Sequence, residues 1–248
     1  MFKKIIKKLA SKGYYKHLKI QQEELCELIS PNKTVISGLF KGLIYPEFKS
    51  YGSALFPKFL GSYEDELHLY LSELLKNNYE YIFDVGCAEG YYAVGVAKLA
   101  PLSKIQAYDT DENALNFCKK MAKLNNVNNI DFFSFCSNKT LQNFNFDKKS
   151  LIISDCEGYE EKLFDNDNIQ NLINCDILIE THDVIKKGIK DRLISLFEKT
   201  HEITIVKSVL KSISDYDELK DINFRKYTDA ILLERNTRMD WLIIKSRK

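Results

Sequence analysis

Residues 81–92 read YIFDVGCAEGYY. The first five are apolar or aromatic apart from Asp84, as expected of a strand buried on both faces. Gly86 and Gly90 follow, and Tyr91 opens a helix-like run, YYAVGVAKLA, that Pro101 stops. Strand, glycine turn and helix in that order form the first unit of an open α/β sheet. Such sheets meet ligands at the carboxyl ends of their strands. Bare backbone at Gly86 and Gly90 is expected to admit a ligand and to let the helix pack close to the strand.

The alternation continues downstream. KIQAY (104–108), IDFFSF (130–135), SLIIS (150–154) and CDILIE (175–180) read as strands. DENALNFCKKMAKLN (111–125), EKLF (161–164) and DRLISLFEK (191–199) read as helical segments between or after them. Apolar strands alternating with amphipathic helices predict a parallel sheet covered on both faces. EITIV (202–206) and DWLII (240–244) are two further strands, set apart by a long, mostly polar stretch. Upstream, SYEDELHLYLSELL (62–75) predicts a helix with Ser62 as N-cap and Leu67, Leu71, Leu74 and Leu75 as its apolar stripe. Before it, Gly38, Gly42, Pro46, Gly52, Pro57 and Gly61 mark irregular, turn-rich chain.

The glycine spacing narrows the ligand. A dinucleotide fingerprint would be G-x-G-x-x-G. Here Gly86 and Gly90 are four apart, and Asp84 lies two positions before the first. A carboxylate there would repel a pyrophosphate and attract an ammonium or sulfonium. The D-x-G-x-x-x-G arrangement therefore suits a cationic, phosphate-free ligand such as S-adenosylmethionine. The second strand ends in AYDTDE, which sets Asp109 at about the offset where an acid meets ribose hydroxyls.

With these residues the sequence resembles class I S-adenosylmethionine-dependent methyltransferases. More narrowly, it resembles FkbM-like methyltransferases through FPKFLGSYEDEL, the D-x-E-G-x-E element (Asp155, Glu157, Gly158, Glu160) and IETHD. The resemblance implies a Rossmann-like α/β sheet of seven strands, the last antiparallel, with an N-terminal helical and irregular extension over 1–62 and a methyltransferase domain over 63–248. It implies that Asp84, Gly86, Cys87, Gly90, Asp109 and Thr110 hold the cofactor. Glu64 would lie near its methionine end, and Ser137 and Asn138 would meet the adenine. Relatives of this kind act on sugars and other small metabolites in surface-polysaccharide and natural-product pathways.

Methyl transfer from a sulfonium needs alignment above all. A sugar hydroxyl is a poor nucleophile and also needs a base or a metal ion. The loops after the fourth and fifth strands supply such groups: Asp155 and Glu157, then Glu180, His182 and Asp183. Two mechanisms fit. His182 or Asp155 acts as general base with Glu157 beside it, or Asp155, Glu180 and His182 ligate Mg²⁺ or Mn²⁺. Cys156 has no base spaced to activate it. His68, His201 and Trp241 read as structural.

The 248 residues carry a formal net charge of +1, so no global field selects nucleic acid or acidic partners. Neither an Arg-rich patch nor an N/D-P-P-Y/F motif is present, which argues against nucleic acid. Residues 1–22 carry seven lysines and no acid. Phe2, Ile5, Ile6 and Leu9 recur among them at helical spacing, consistent with a docked helix or with an amphipathic helix on an anionic membrane. The six cysteines show no C-x-x-C pairing and suggest a reducing, cytoplasmic setting. No apolar run is long enough to span a bilayer, and the start does not read as a signal peptide. The expected function is therefore O-methylation of a sugar or sugar-derived small molecule. Lys41, Lys49 and Lys58 are available to a phosphorylated or nucleotide-linked acceptor. The alternatives are N-methylation of a small amine or amide, and a non-catalytic cofactor-binding partner protein.

Overall fold

The structure, a computed structural model, describes residues 2–220, 228–234 and 239–248, with side chains from residue 16 onward. It divides into two compact units: Met1–Asp65 with Leu210–Asn236, and Glu66–Val209 with Thr237–Lys248.

The second unit is built on a seven-stranded sheet of order β3-β2-β1-β4-β5-β7-β6. Its strands are β1 (Tyr81–Val85), β2 (Lys104–Tyr108), β3 (Ile130–Phe133), β4 (Ser150–Ser154), β5 (Cys175–Thr181), β6 (His201–Lys207) and β7 (Asp240–Ser246). The first five run parallel, and β7 is antiparallel to both β5 and β6. Seven strands with the last antiparallel is the sheet that the sequence resemblance implies. Every residue of β4 and β5 is buried, which explains their unbroken apolar sequences. The helices α3 (His68–Leu75), α4 (Tyr91–Leu99), α5 (Glu112–Leu124), α6 (Asn138–Asn143), α7 (Glu160–Leu163) and α8 (Ile189–Phe197) complete the unit. Trp241 and His201 are core residues, as their sequence context suggests. His201 Nε2 lies 3.1 Å from the Cys175 carbonyl, and burial holds the ring below its usual pKa.

One sequence expectation fails here, and one element was not expected. The helix expected from Ser62 begins only at His68, behind a 3₁₀ turn over Asp65–Leu67, because Glu64 takes φ 49° and breaks the helical path. Ser62 is instead a buried turn residue. The unexpected element is α6: Ser137 caps it by accepting from the Thr140 amide at 3.1 Å.

The first unit contains α1 (Phe2–Ile29) and α2 (Leu55–Leu60). The apolar stripe expected of Phe2, Ile5, Ile6 and Leu9 falls among side chains outside the described ones. Buried Gln22 of α1 ties the unit together. It donates to the Ile231 carbonyl at 2.8 Å and accepts from the Leu55 amide at 3.3 Å. Lys58 is not the lysine expected to be available to a charged acceptor. It is buried on α2, with Nζ 4.8 Å from the Tyr63 ring centroid and donating to Ser50. Lys41 and Lys49 are exposed. Among the described residues no helix is long and apolar enough to cross a membrane.

Candidate functional site

The carboxyl ends of β1, β2, β3, β4 and β5 line one edge of the sheet and carry nearly all the candidate residues. Asp84 sits within the end of β1, opposite Ala107 and Ile153, and is 3% exposed. The turn after it is pinned to β2. The Gly86 and Cys87 amides both donate to the Tyr108 carbonyl, at 2.9 and 3.0 Å. Asp109 then braces the turn: Oδ2 accepts from the Ala88 amide and Oδ1 from the Asp111 amide, each at 2.8 Å. Each oxygen keeps a lone pair for a further donor such as a ribose hydroxyl. Thr110 follows at the exposed surface.

Both glycines face close internal neighbours. A Cβ on Gly86 would lie 1.7 Å from the Asp155 carbonyl oxygen, and one on Gly90 would lie 2.5 Å from Cys118 Sγ. The bare backbone is filled by neighbouring chain and by α5, so the requirement is for close internal packing. One consequence is that the β1 turn and the β4 loop touch through backbone, helped by the Asp155 amide donating to the Val85 carbonyl at 2.9 Å. Gly86 also has φ +91°. Gly86→Ala should lower unfolding stability by about 2–6 kcal/mol, the sum of backbone strain and overpacking. Urea denaturation measures this, and an unchanged midpoint would refute the packing described.

Cys87 is buried beside Cys118. That thiol contact and burial push the Cys87 thiol well up, so it stays protonated. Glu89, within the same turn, is fully buried, and sequence reasoning assigned it no role. At the end of β3, Ser137 is engaged in capping α6. The Asn138 Nδ2 beside it is buried and without a hydrogen-bond partner among the described residues. An unsatisfied amide donor past β3, a buried carboxylate at the end of β1 and Asp109 at the end of β2 together fit an adenosyl ligand carrying a positive sulfur. Glu64 belongs to the first unit. There its amide donates to Glu234 Oε1 at 3.0 Å.

The densest chemistry lies where β4 and β5 end, side by side. His182 is fully buried, with Nδ1 2.9 Å from Glu160 Oε1. Its Nε2 faces Asp155 Oδ1 at 3.4 Å, Glu180 Oε2 at 3.5 Å and Glu157 Oε2 at 3.6 Å. Glu160, also fully buried, accepts from the Cys156 amide at 3.0 Å as well. Burial alone would lower the His182 pKa. The Glu160 contact and the charges of Asp155 and Glu157 outweigh it and raise the pKa above the usual 6.5. Glu157 and Gly158 both take positive φ, 54° and 92°, which turns the chain sharply and returns Glu160 to the ring. Glu160 was visible only as the last acid of the D-x-E-G-x-E element. Asp183 does not join the cluster. Its carboxylate accepts from the Gly188 and Lys190 amides at the start of α8. Burial and Glu160 push the Cys156 thiol up.

Comparison with known proteins bears directly on this edge. Residues 65–157, from the helix before β1 to the β4 loop, match the family model of the methyltransferase small domain. That stretch is similar to a methyltransferase domain. The ribosomal protein L11 methyltransferase of Campylobacter lari is 31% identical over 171 residues, covering 68% of this chain and 47% of that protein. The chain thus spans about half the length of that relative. Among solved structures, precorrin-6y C5,15-methyltransferase from Geobacter metallireducens GS-15 superposes with a TM-score of 0.49 at 12% identity, covering 73% of this chain and 89% of that one. An rRNA methylase from Streptococcus thermophilus gives 0.47 at 12% identity, covering 74% and 97%. The matched domain contains Asp84, the glycine turn, Asp109 and the Asp155–Glu157 loop, while His182 lies beyond it.

Proposed function

We infer that this S-adenosylmethionine-dependent methyltransferase domain methylates a hydroxyl group, with a sugar or sugar-derived small molecule as acceptor. One observation carries the reading. A fully buried histidine and four carboxylates converge next to the turn that follows β1, which is more acid–base chemistry than holding the donor requires. When bound, S-adenosylmethionine supplies a methyl group already activated by its positive sulfur. What this chain must add is a hydroxyl oxygen ready to attack. A hydroxyl held at the cluster would give up its proton there, while the donor would supply the methyl group and keep the bonding pair as a neutral thioether. Positioned proton removal of this kind contributes about 10²–10⁴-fold in rate. The same side chains would hold a Mg²⁺ or Mn²⁺ ion. The sugar assignment rests on the D-x-E-G-x-E resemblance.

A second reading is N-methylation of an amine. The relative named for methylating a ribosomal protein favours it, and an acidic cluster would attract an ammonium. Release of S-adenosylhomocysteine measured across nucleotide-sugars, free sugars and small amines separates the two. Turnover on hydroxyl acceptors alone is expected, and turnover confined to amines would overturn the first reading.

A further inference from the structure

The geometry points to a divalent-cation site formed by His182 Nε2, Asp155, Glu180 and Glu157, with Glu160 as the outer residue that orients the imidazole. This rests on reading the β4–β5 cluster as the centre that activates the acceptor, and it gives that centre its ligand set.

Three features argue for a cation rather than a plain ion-pair network. The first is distance. The three carboxylate oxygens stand 3.4–3.6 Å from Nε2, too far for good hydrogen bonds. Two donors bound at about 2.0–2.3 Å to one cation, at about 90–110°, are themselves roughly 2.8–3.8 Å apart. The second is that Nε2 is completely buried and makes no hydrogen bond among the described residues, on a side chain with no exposed surface. A buried polar atom in that state costs free energy unless something occupies the space it faces. The third is Nδ1, 2.9 Å from Glu160 Oε1. A carboxylate on the far nitrogen is the usual partner of a metal-bound histidine, fixing the tautomer that leaves Nε2 free to ligate. Asp155, Glu157 and His182 each offer a ligand atom, all within 4.8 Å of one another. Glu180 adds a fourth from the end of β5.

One imidazole with three carboxylates is a hard-to-borderline donor set, suited to Mn²⁺ and related ions rather than to thiolate-loving metals. A dication there offsets the convergence of negative charge. It would also lower the pKa of a hydroxyl bound to it, which is what a sugar acceptor needs.

The test is titration of the full-length protein with MnCl₂, followed by calorimetry and by loss of the free Mn²⁺ electron paramagnetic resonance signal. One ion per chain is expected. Affinity should fall at least tenfold in Asp155→Asn and His182→Gln, and about 10–100-fold in Glu160→Gln. Glu157 is largely exposed, so Glu157→Gln leaves folding intact and must also weaken binding. No Mn²⁺ uptake, or uptake unchanged in Glu157→Gln and Asp155→Asn, overturns the site. S-adenosylhomocysteine binding to the same samples keeps the two ideas apart. Nucleoside binding without Mn²⁺ removes only the cation site, whereas Mn²⁺ binding without nucleoside binding removes the methyltransferase reading.

Discussion

His182→Ala is expected to lower kcat by about 10²–10⁴-fold, or about 3–5 kcal/mol of barrier, while the Kd for S-adenosylhomocysteine changes little. The asymmetry follows from position. His182 stands at the end of β5 among Asp155, Glu157, Glu160 and Glu180, whereas the residues fitted to the adenosyl ligand stand at the ends of β1, β2 and β3. Removing the ring also leaves Glu160, fully buried, without its 2.9 Å partner, so the alanine variant should unfold more easily as well. His182→Gln separates the two effects. It retains a donor toward Glu160 and should recover stability but not turnover. Imidazole added to the alanine variant should restore part of the rate, because it can re-enter the vacated space. Equal losses of donor binding and turnover would mean that His182 only supports the fold.

The second large effect is expected far from this cluster in sequence. In the first unit, Lys211 is 4% exposed at its side chain and meets Glu234, the Ser62 carbonyl and Asp65, the last at 3.1 Å. Tyr216 donates to Asp65 at 2.7 Å. One ammonium thus serves two acids. Glu234 is accordingly pushed up to about 8 by burial, with Glu64 adding to the rise and Lys211 opposing it. Lys211→Met should destabilise the chain most above about pH 8, where Glu234 is ionised and left without its cation. Glu234→Gln in that background should return much of the loss. The Glu234 shift also sets a pH dependence. The unfolded chain ionises this carboxyl near 4.5, while the folded chain holds its proton to about 8. Native protein therefore binds more protons between those values, and stability falls as pH rises from about 4.5 to 8, then levels off. Urea midpoints across that range should show the decline in the wild type and lose it in Glu234→Gln.

The sequence carried the sheet because burial leaves a direct imprint. β1, β2 and β4 were readable to the residue, since each is a short apolar run between turn residues. Strand adjacency then brought Asp155 and His182 together before any coordinates, because β4 and β5 pair along their length. What stayed hidden depends on local backbone or on long-range contacts. α2 was concealed by Pro57, which reads as a breaker yet falls in the first helical turn, where its missing N–H has no intrahelical partner. Glu160 reaches His182 only because Glu157 and Gly158 take positive φ. Nothing in 210–236 announced that Lys211 would meet Asp65. At the glycine turn the residues needing φ > 0 were visible, but not the atoms, Asp155 O and Cys118 Sγ, that a side chain there would meet.

The central claim is that the ends of β1, β2 and β3 hold an adenosyl donor with a positive sulfur. Isothermal titration of the purified chain with S-adenosylhomocysteine, alongside Asp84→Ala and NAD, tests it most directly. Saturable one-to-one uptake that is lost in Asp84→Ala, with no heat from NAD, is the predicted result. NAD binding without uptake of S-adenosylhomocysteine would contradict it.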